Sequence, residues 1–277
     1  MTSFVAWVGV DSRGSSSLYL ASDSRVSWGP KDTWDYGRKV FATKTSPDVL
    51  GYVGDVLFPS LVLGQVVAAI DARTLYPLNA LPEDRFACIR KAIQASFSNL
   101  PSLARKPFTI VYGTRENEGM GSHFRLWRLA WDNTWTEEHV PLPTRSSALW
   151  VLGSGTTAIR EWQSRWDSSS QGGTSRAVFS AFCDAIHSRT DPLTGGAPQL
   201  VALYRKDPAQ TIGVVINRSP YLFGLPVDAV LEGQSSDLQW RNHLFERVDT
   251  RGVRLLKAQH HHAPKGLGKS CTVKPLK

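Results

Sequence analysis

Thr2, directly behind the initiator methionine, Asp23 and, sixteen residues further on, Lys39 are the side chains of this sequence that could do chemistry together. A threonine hydroxyl is a poor nucleophile until a base takes its proton, and one known base is the residue's own α-amine. That amine has an ordinary pKa of about 7.7–8.0, so part of it is neutral near pH 7. A neighbouring cation enlarges the neutral fraction. Lys39 supplies the cation, and Asp23 fixes the ammonium, which completes a nucleophile, base and orienter chain. The chemistry requires loss of Met1, because a peptide-bonded Thr2 nitrogen is no base. Threonine is small enough for ordinary initiator-methionine removal, so no long propeptide is needed.

Thr2, the run Leu20-Ala21-Ser22-Asp23-Ser24-Arg25-Val26 and Arg38-Lys39-Val40-Phe41 together resemble the opening of a proteasome β-subunit, including the bacterial relatives of the HslV and Anbu type. The separation of Asp23 from Lys39 is the family's. The hairpin between Thr2 and Asp23 is longer than the family's by about five residues, an insertion that loop-closure entropy tolerates cheaply. Two later stretches carry the same likeness. Gly153-Ser154-Gly155 resembles the segment whose serine lies beside the terminal amine, and Arg189-Thr190-Asp191-Pro192-Leu193-Thr194-Gly195-Gly196 resembles the turn that supplies an aspartate and a serine. Thr194 in place of serine keeps the hydroxyl.

The resemblance implies an N-terminal-nucleophile hydrolase with Thr2 as nucleophile, Asp23 and Lys39 tuning its amine, and Ser154, Asp191 and Thr194 supporting it. It implies Gly54 as the backbone donor to the tetrahedral oxyanion, with Gly51 second. Peptide hydrolysis on polypeptide substrates follows as the expected activity, with a small-amide acylase and a non-catalytic, assembly-forming subunit as the alternatives. Self-assembly into a ring or related homo-oligomer and an accompanying ATPase unfoldase are implied as partners. The implied fold is α+β, a four-layer αββα sandwich.

The elements that must position these residues are legible as patterns. Residues 3–10 and 17–26 read as a hairpin, 39–42 and 49–53 as two short strands around Ser46-Pro47-Asp48. Val56 to Ala72 is apolar nearly all round, as in a helix packed on several sides. Phe86, Ile89, Ile93 and Phe97 recur at helical spacing. Strands are expected at 108–113, 124–131, 135–140 and 149–152. Helices follow on the stripes Ile159, Trp162, Trp166 and Val178, Phe179, Phe182, Ile186, and strands close the pattern at 200–204 and 211–216. Residues 1–225 are expected to form the hydrolase domain. Residues 226–277 read as a basic extension with enough apolar residues for a short packed helix or strand, its last twenty or so residues disordered.

Composition narrows the function classes. Of the formal charge of +8, nine Lys/Arg against two Asp/Glu between Arg241 and Lys277 give +7, so residues 1–240 carry +1. The basic balance belongs to the end of the chain, and nucleic-acid binding is not expected of the core. Ten tryptophans imply large buried or inter-subunit contacts. No run of about 18 apolar residues could span a bilayer, and the start lacks the basic and apolar regions of a signal peptide, so a cytoplasmic location with no membrane partner is expected. Cys88, Cys183 and Cys271 are too few and too far apart for a disulfide framework or a zinc site. His260-His261-His262 has no accompanying carboxylate or cysteine cluster, and no glycine-rich segment has the context of a nucleotide loop. No metal or cofactor is expected.

Overall fold

A computed structural model of the protein describes residues 2–29, 31–227 and 238–256. The chain opens with β1 (Ser3–Asp11) and β2 (Gly14–Ser22), paired as an antiparallel hairpin. Both strands are buried on both faces over most of their length, which explains why the run from Phe4 to Val8 is apolar without alternation. β1 lies between β2 and β10 (Ser147–Gly153), and β2 pairs on its other side with β11 (Gln199–Tyr204). The sheet continues through β12 (Gln210–Ile216), β13 (Ser219–Leu222) and β14 (Leu225–Pro226). β15 (Gln239–Asn242) joins β12 in parallel, and β16 (Arg247–Val248) pairs antiparallel with β15, giving nine strands.

A second, five-stranded sheet runs β5 (Val40–Ala42), β6 (Asp48–Gly54), β7 (Phe108–Glu116), β8 (His123–Asp132) and β9 (Thr134–His139), all antiparallel. A two-stranded sheet pairs β3 (Val26–Ser27) with β4 (Thr33–Trp34).

The helices are α1 (Leu57–Asp71), α2 (Pro82–Ser98), α3 (Thr156–Asp167) and α4 (Ser175–Ser188). α2 starts with a proline in its first turn and with Glu83 and Asp84 beside it, both favoured at a helix start. Its apolar stripe Phe86, Ile89, Ile93 and Phe97 packs with Phe58 and Tyr112 against the five-stranded sheet. α4 is capped by the Thr174 hydroxyl, which accepts the Ala177 amide at 3.2 Å. Phe179, Phe182 and Ile186 bury against Trp7, Tyr19 and Leu200 of the large sheet. A third core cluster, with Phe4, Leu18, Leu20, Val49, Val111 and Leu126, joins strands of the two larger sheets.

The expected α+β, four-layer αββα sandwich is corrected by this architecture. The described residues form three mostly antiparallel sheets of sixteen strands against four α-helices, so the fold is dominated by β structure. The physical reason lies in strands with no apolar run of their own. β3, β4, β13, β14, β15 and β16 are two to four residues long and exist because a neighbouring backbone supplies the pairing.

The expected domain limit after residue 225 falls inside β14. Residues 238–256 are part of the large sheet's packing: Trp240 lies over Gly213, where a Cβ would come within 2.2 Å of the indole, and packs with Val215 and Val248. Residues 257–277, including the histidine run, Cys271 and the segment expected to be disordered, lie outside the described residues.

Candidate active site

Three segments converge on the start of β1. The end of β2 delivers Asp23, the residue before β5 is Lys39, and Ser3 stands opposite Gly153 in the β1–β10 register. Lys39 Nζ lies 2.8 Å from Asp23 Oδ1, and both side chains are 0% exposed. The same Oδ1 accepts the Ser3 amide at 3.0 Å. Asp23 Oδ2 accepts the amides of Gly195 at 3.1 Å and Arg25 at 3.3 Å. A buried carboxylate is costly unless its oxygens are filled, and here each oxygen accepts two hydrogen bonds. The Asp23 amide returns a bond to the Ser3 carbonyl at 3.1 Å.

The Ser3 amide belongs to the Thr2–Ser3 peptide bond, so Asp23 grips that bond directly. Gly153 packs against its carbonyl: a Cβ at this position would lie 1.7 Å from the Thr2 oxygen, and its φ of +93° is itself glycine territory. Gly155 is as close to the next residue, with a Cβ there meeting Ser3 Oγ at 1.8 Å. The Gly153-Ser154-Gly155 turn therefore lies flat on residues 2 and 3. Thr2 is wholly buried.

A second hydrogen-bond chain starts at Ser3. Its Oγ is 3.1 Å from Thr194 Oγ1, and the Thr194 hydroxyl donates to Asp191 Oδ2 at 2.8 Å. A hydroxyl carries one proton, so in this arrangement Ser3 is the donor to Thr194. Asp191 also accepts the Leu193 amide at 3.0 Å and the Ser154 hydroxyl. Burial alone would raise the Asp191 carboxyl, but hydrogen bonds from Ser154, Leu193 and Thr194 outweigh it and hold the group below its ordinary value.

Lys39 shows the opposite balance. Burial pushes its ammonium below the usual lysine range, and the attraction of Asp23 opposes that shift without cancelling it. Besides Asp23, Nζ donates to the Arg25 carbonyl. The arrangement can hold a positive charge beside the first peptide bond of β1 and, through Thr194 and Asp191, lead a proton away from it.

The structure thus gathers Thr2, Asp23, Lys39, Ser154, Asp191 and Thr194 around one point. Gly54 ends β6 at a φ of +99°, with Pro107 and Phe108 against its Cα. Its neighbour Val53 reaches Gly153, so the end of β6 borders the same place.

Two supporting groups were not anticipated from sequence. Gln199 Oε1 accepts the Lys39 amide at 3.0 Å, and its Nε2 donates to the carbonyls of Asp23 at 3.1 Å and Gly37 at 2.6 Å. Its signal was a buried-looking amide opening the apolar strand Gln199–Tyr204. Arg25 binds Asp35 through Nε and Nη2 at 2.7 and 2.9 Å, and donates from Nη1 to the carbonyls of Pro192 at 3.1 Å and Thr194 at 3.3 Å. It ties the β3–β4 hairpin to the turn that carries Asp191, and its only signal was its place in the run around Asp23.

Among the described residues no cluster of three or more His, Cys, Asp or Glu could hold a metal ion, and no helix is long and apolar enough to cross a membrane. No protein-family model matches the chain, and no curated protein matches it.

Proposed function

We propose that the protein is a proteasome-like threonine peptidase in which Thr2, freed from Met1, attacks the carbonyl of a peptide bond. The observation that carries this reading is the shared oxygen of Asp23: Oδ1 holds the Lys39 ammonium and the Ser3 amide together, all buried, at the peptide bond that Thr2 itself makes. An ammonium has three N–H donors. Two go to Asp23 and Arg25, and in this reading the third serves the Thr2 hydroxyl.

In the proposed reaction the neutral Thr2 amine takes the hydroxyl proton as Oγ bonds to the substrate's carbonyl carbon. The carbon–nitrogen bond then breaks, and the same amine returns the proton to the departing amine. Water, deprotonated by the Thr2 amine, hydrolyses the resulting ester and restores the hydroxyl. Lys39 favours the neutral amine by its charge. Asp191, with Ser154 and Thr194 on it, orients the hydrogens of that amine. Polypeptides as substrate, a homo-oligomer, an accompanying ATPase and a cytoplasmic location complete this reading and rest on the resemblance described above.

One observation favours a second reading, a non-catalytic subunit. In the full chain Thr2 is wholly buried, and the same network would serve to anchor the first strand.

Intact-mass measurement of the purified protein, followed by incubation with a peptide epoxyketone, separates the two. The peptidase predicts loss of Met1, one adduct on Thr2, and peptide turnover that falls to background in Thr2→Ala. Retained Met1 without turnover overturns it in favour of the anchor. Thr2 labelling with turnover of small amides but no peptides replaces it with an acylase.

A further inference from the structure

A cleft of about 680 Å³ opens at the far end of β1, beside Gly9 to Asp11, away from the candidate active site. Its walls come from the β1–β2 hairpin, the start of α4 and the β15–β16 hairpin. Three arginines line it: Arg176, Arg241 and Arg247. Arg176 is committed to Glu246 at 3.5 Å. Arg241 and Arg247 stand directly opposite each other in the β15–β16 register, a placement that like charges disfavour. Arg241 Nε is buried without a hydrogen-bond partner. Neither arginine has a carboxylate within ion-pair distance among the described residues.

The two carboxylates of the cleft are already engaged. Asp11 is held by Arg205 at 2.7 Å and Arg13 at 3.5 Å, and Glu246 by Arg176, by Arg254 at 3.3 Å and by the Asn242 amide at 2.9 Å. The third wall is the first turn of the fourteen-residue α4 with its Thr174 cap, where the helix dipole favours negative charge. Beside these donors lie Tyr19 and Phe245, edge to face with centroids 5.3 Å apart. The volume suits a small molecule with an organic part.

We propose that this cleft binds a small phosphate monoester, its phosphate between Arg241, Arg247 and the start of α4 and its organic part over Tyr19 and Phe245. Guanidinium forks match phosphate oxygens in pairs, and a doubly charged oxyanion between them relieves the arginine–arginine repulsion. The site is independent of the proposed hydrolysis at Thr2.

Calorimetric titration of the full chain at fixed ionic strength tests it, with AMP and glucose 6-phosphate as esters, inorganic phosphate as the bare anion and adenosine as the uncharged control. The expected result is saturable binding of at least one ester, weaker binding of inorganic phosphate, none of adenosine, and an affinity about tenfold lower in Arg241→Gln and in Arg247→Gln. Arg247 is exposed, so Arg247→Gln decides the matter if Arg241→Gln does not fold. Absence of saturable binding by both esters, or unchanged affinity in the folded variants, overturns the proposal. Inorganic phosphate binding as tightly as the esters overturns the ester and leaves a bare-anion site.

Discussion

Two buried ion pairs sit near opposite ends of β1, and they are built for different ends. Lys39 and Asp23, both 0% exposed and 2.8 Å apart, grip the start of the strand. Arg176 and Glu246, 5% and 3% exposed and 3.5 Å apart, lie beside the cleft at its far end. A guanidinium does not give up its proton in a protein, whereas a buried lysine shifts readily. Burial has already moved Lys39 downward, and Asp23 restrains it. The Arg176 pair can therefore fix α4 to the β15–β16 hairpin, but its cation cannot take part in proton chemistry. A buried charge becomes a functional indication through the kind of cation and what else its partner holds.

The comparison is tested most severely by Lys39→Ala. Removing one partner of a buried pair typically costs about 3–5 kcal/mol, because the other charge is left without compensation. Denaturant unfolding should show a loss of that size, and peptide turnover per folded molecule should fall to the level of Thr2→Ala. Glu246→Ala should cost about 3 kcal/mol on the same grounds, at the lower end because its contact is longer. Turnover per folded molecule should stay at the wild-type value. Equal loss of turnover in both variants would erase the distinction between the two pairs.

A smaller effect is expected from Gly153→Ala, which leaves both ion pairs intact. The left-handed backbone alone costs roughly 1–2 kcal/mol for a residue with a Cβ, and this Cβ would overlap the Thr2 carbonyl oxygen. Residue 2 must move. Turnover should drop well beyond what the lost stability explains, which epoxyketone labelling rates on folded protein would show. Labelling at the wild-type rate would mean that the tight packing of Gly153 does not position the nucleophile.

What could be read from the sequence follows the same division. Thr2, Asp23, Lys39, Ser154, Asp191 and Thr194 could be singled out because their side chains have chemistry and stand in recognisable local runs, and folding brings them to one place. Gln199 could not, because a lone amide at a strand start says nothing until the carbonyls of Asp23 and Gly37 are known to face it. Ser3 as donor to Thr194 was hidden for a similar reason, since the two are brought together only by the packing of β1 on the turn. The longer strands and the helices showed in apolar periodicity. The β-dominated architecture did not, because β13 to β16 are specified by the backbone edges they join, and the four-layer arrangement came from the resemblance and not from the pattern.

The smallest predicted effect concerns pH and the second hydrogen-bond chain. Asp191 is held below its ordinary carboxyl value of 3.8 by Ser154, Leu193 and Thr194, against the effect of burial. A carboxylate whose folded pKa lies below its unfolded one stabilises the fold fully at higher pH. That contribution is lost as pH falls from about 3.8 through the lowered folded value, because protonation weakens bonds made only to the anion. The stability difference between wild type and Asp191→Asn should be constant from pH 7 to pH 5 and shrink on further acidification. Denaturant midpoints across that range measure it. Asp191 is only partly buried, so the change should be small beside that of Lys39→Ala. A difference that grew on acidification would mean that the Thr194–Asp191 bond favours the protonated acid. The chain would then run from Asp191 toward Ser3, and Asp191 would not be the acceptor that orients the hydrogens of the Thr2 amine.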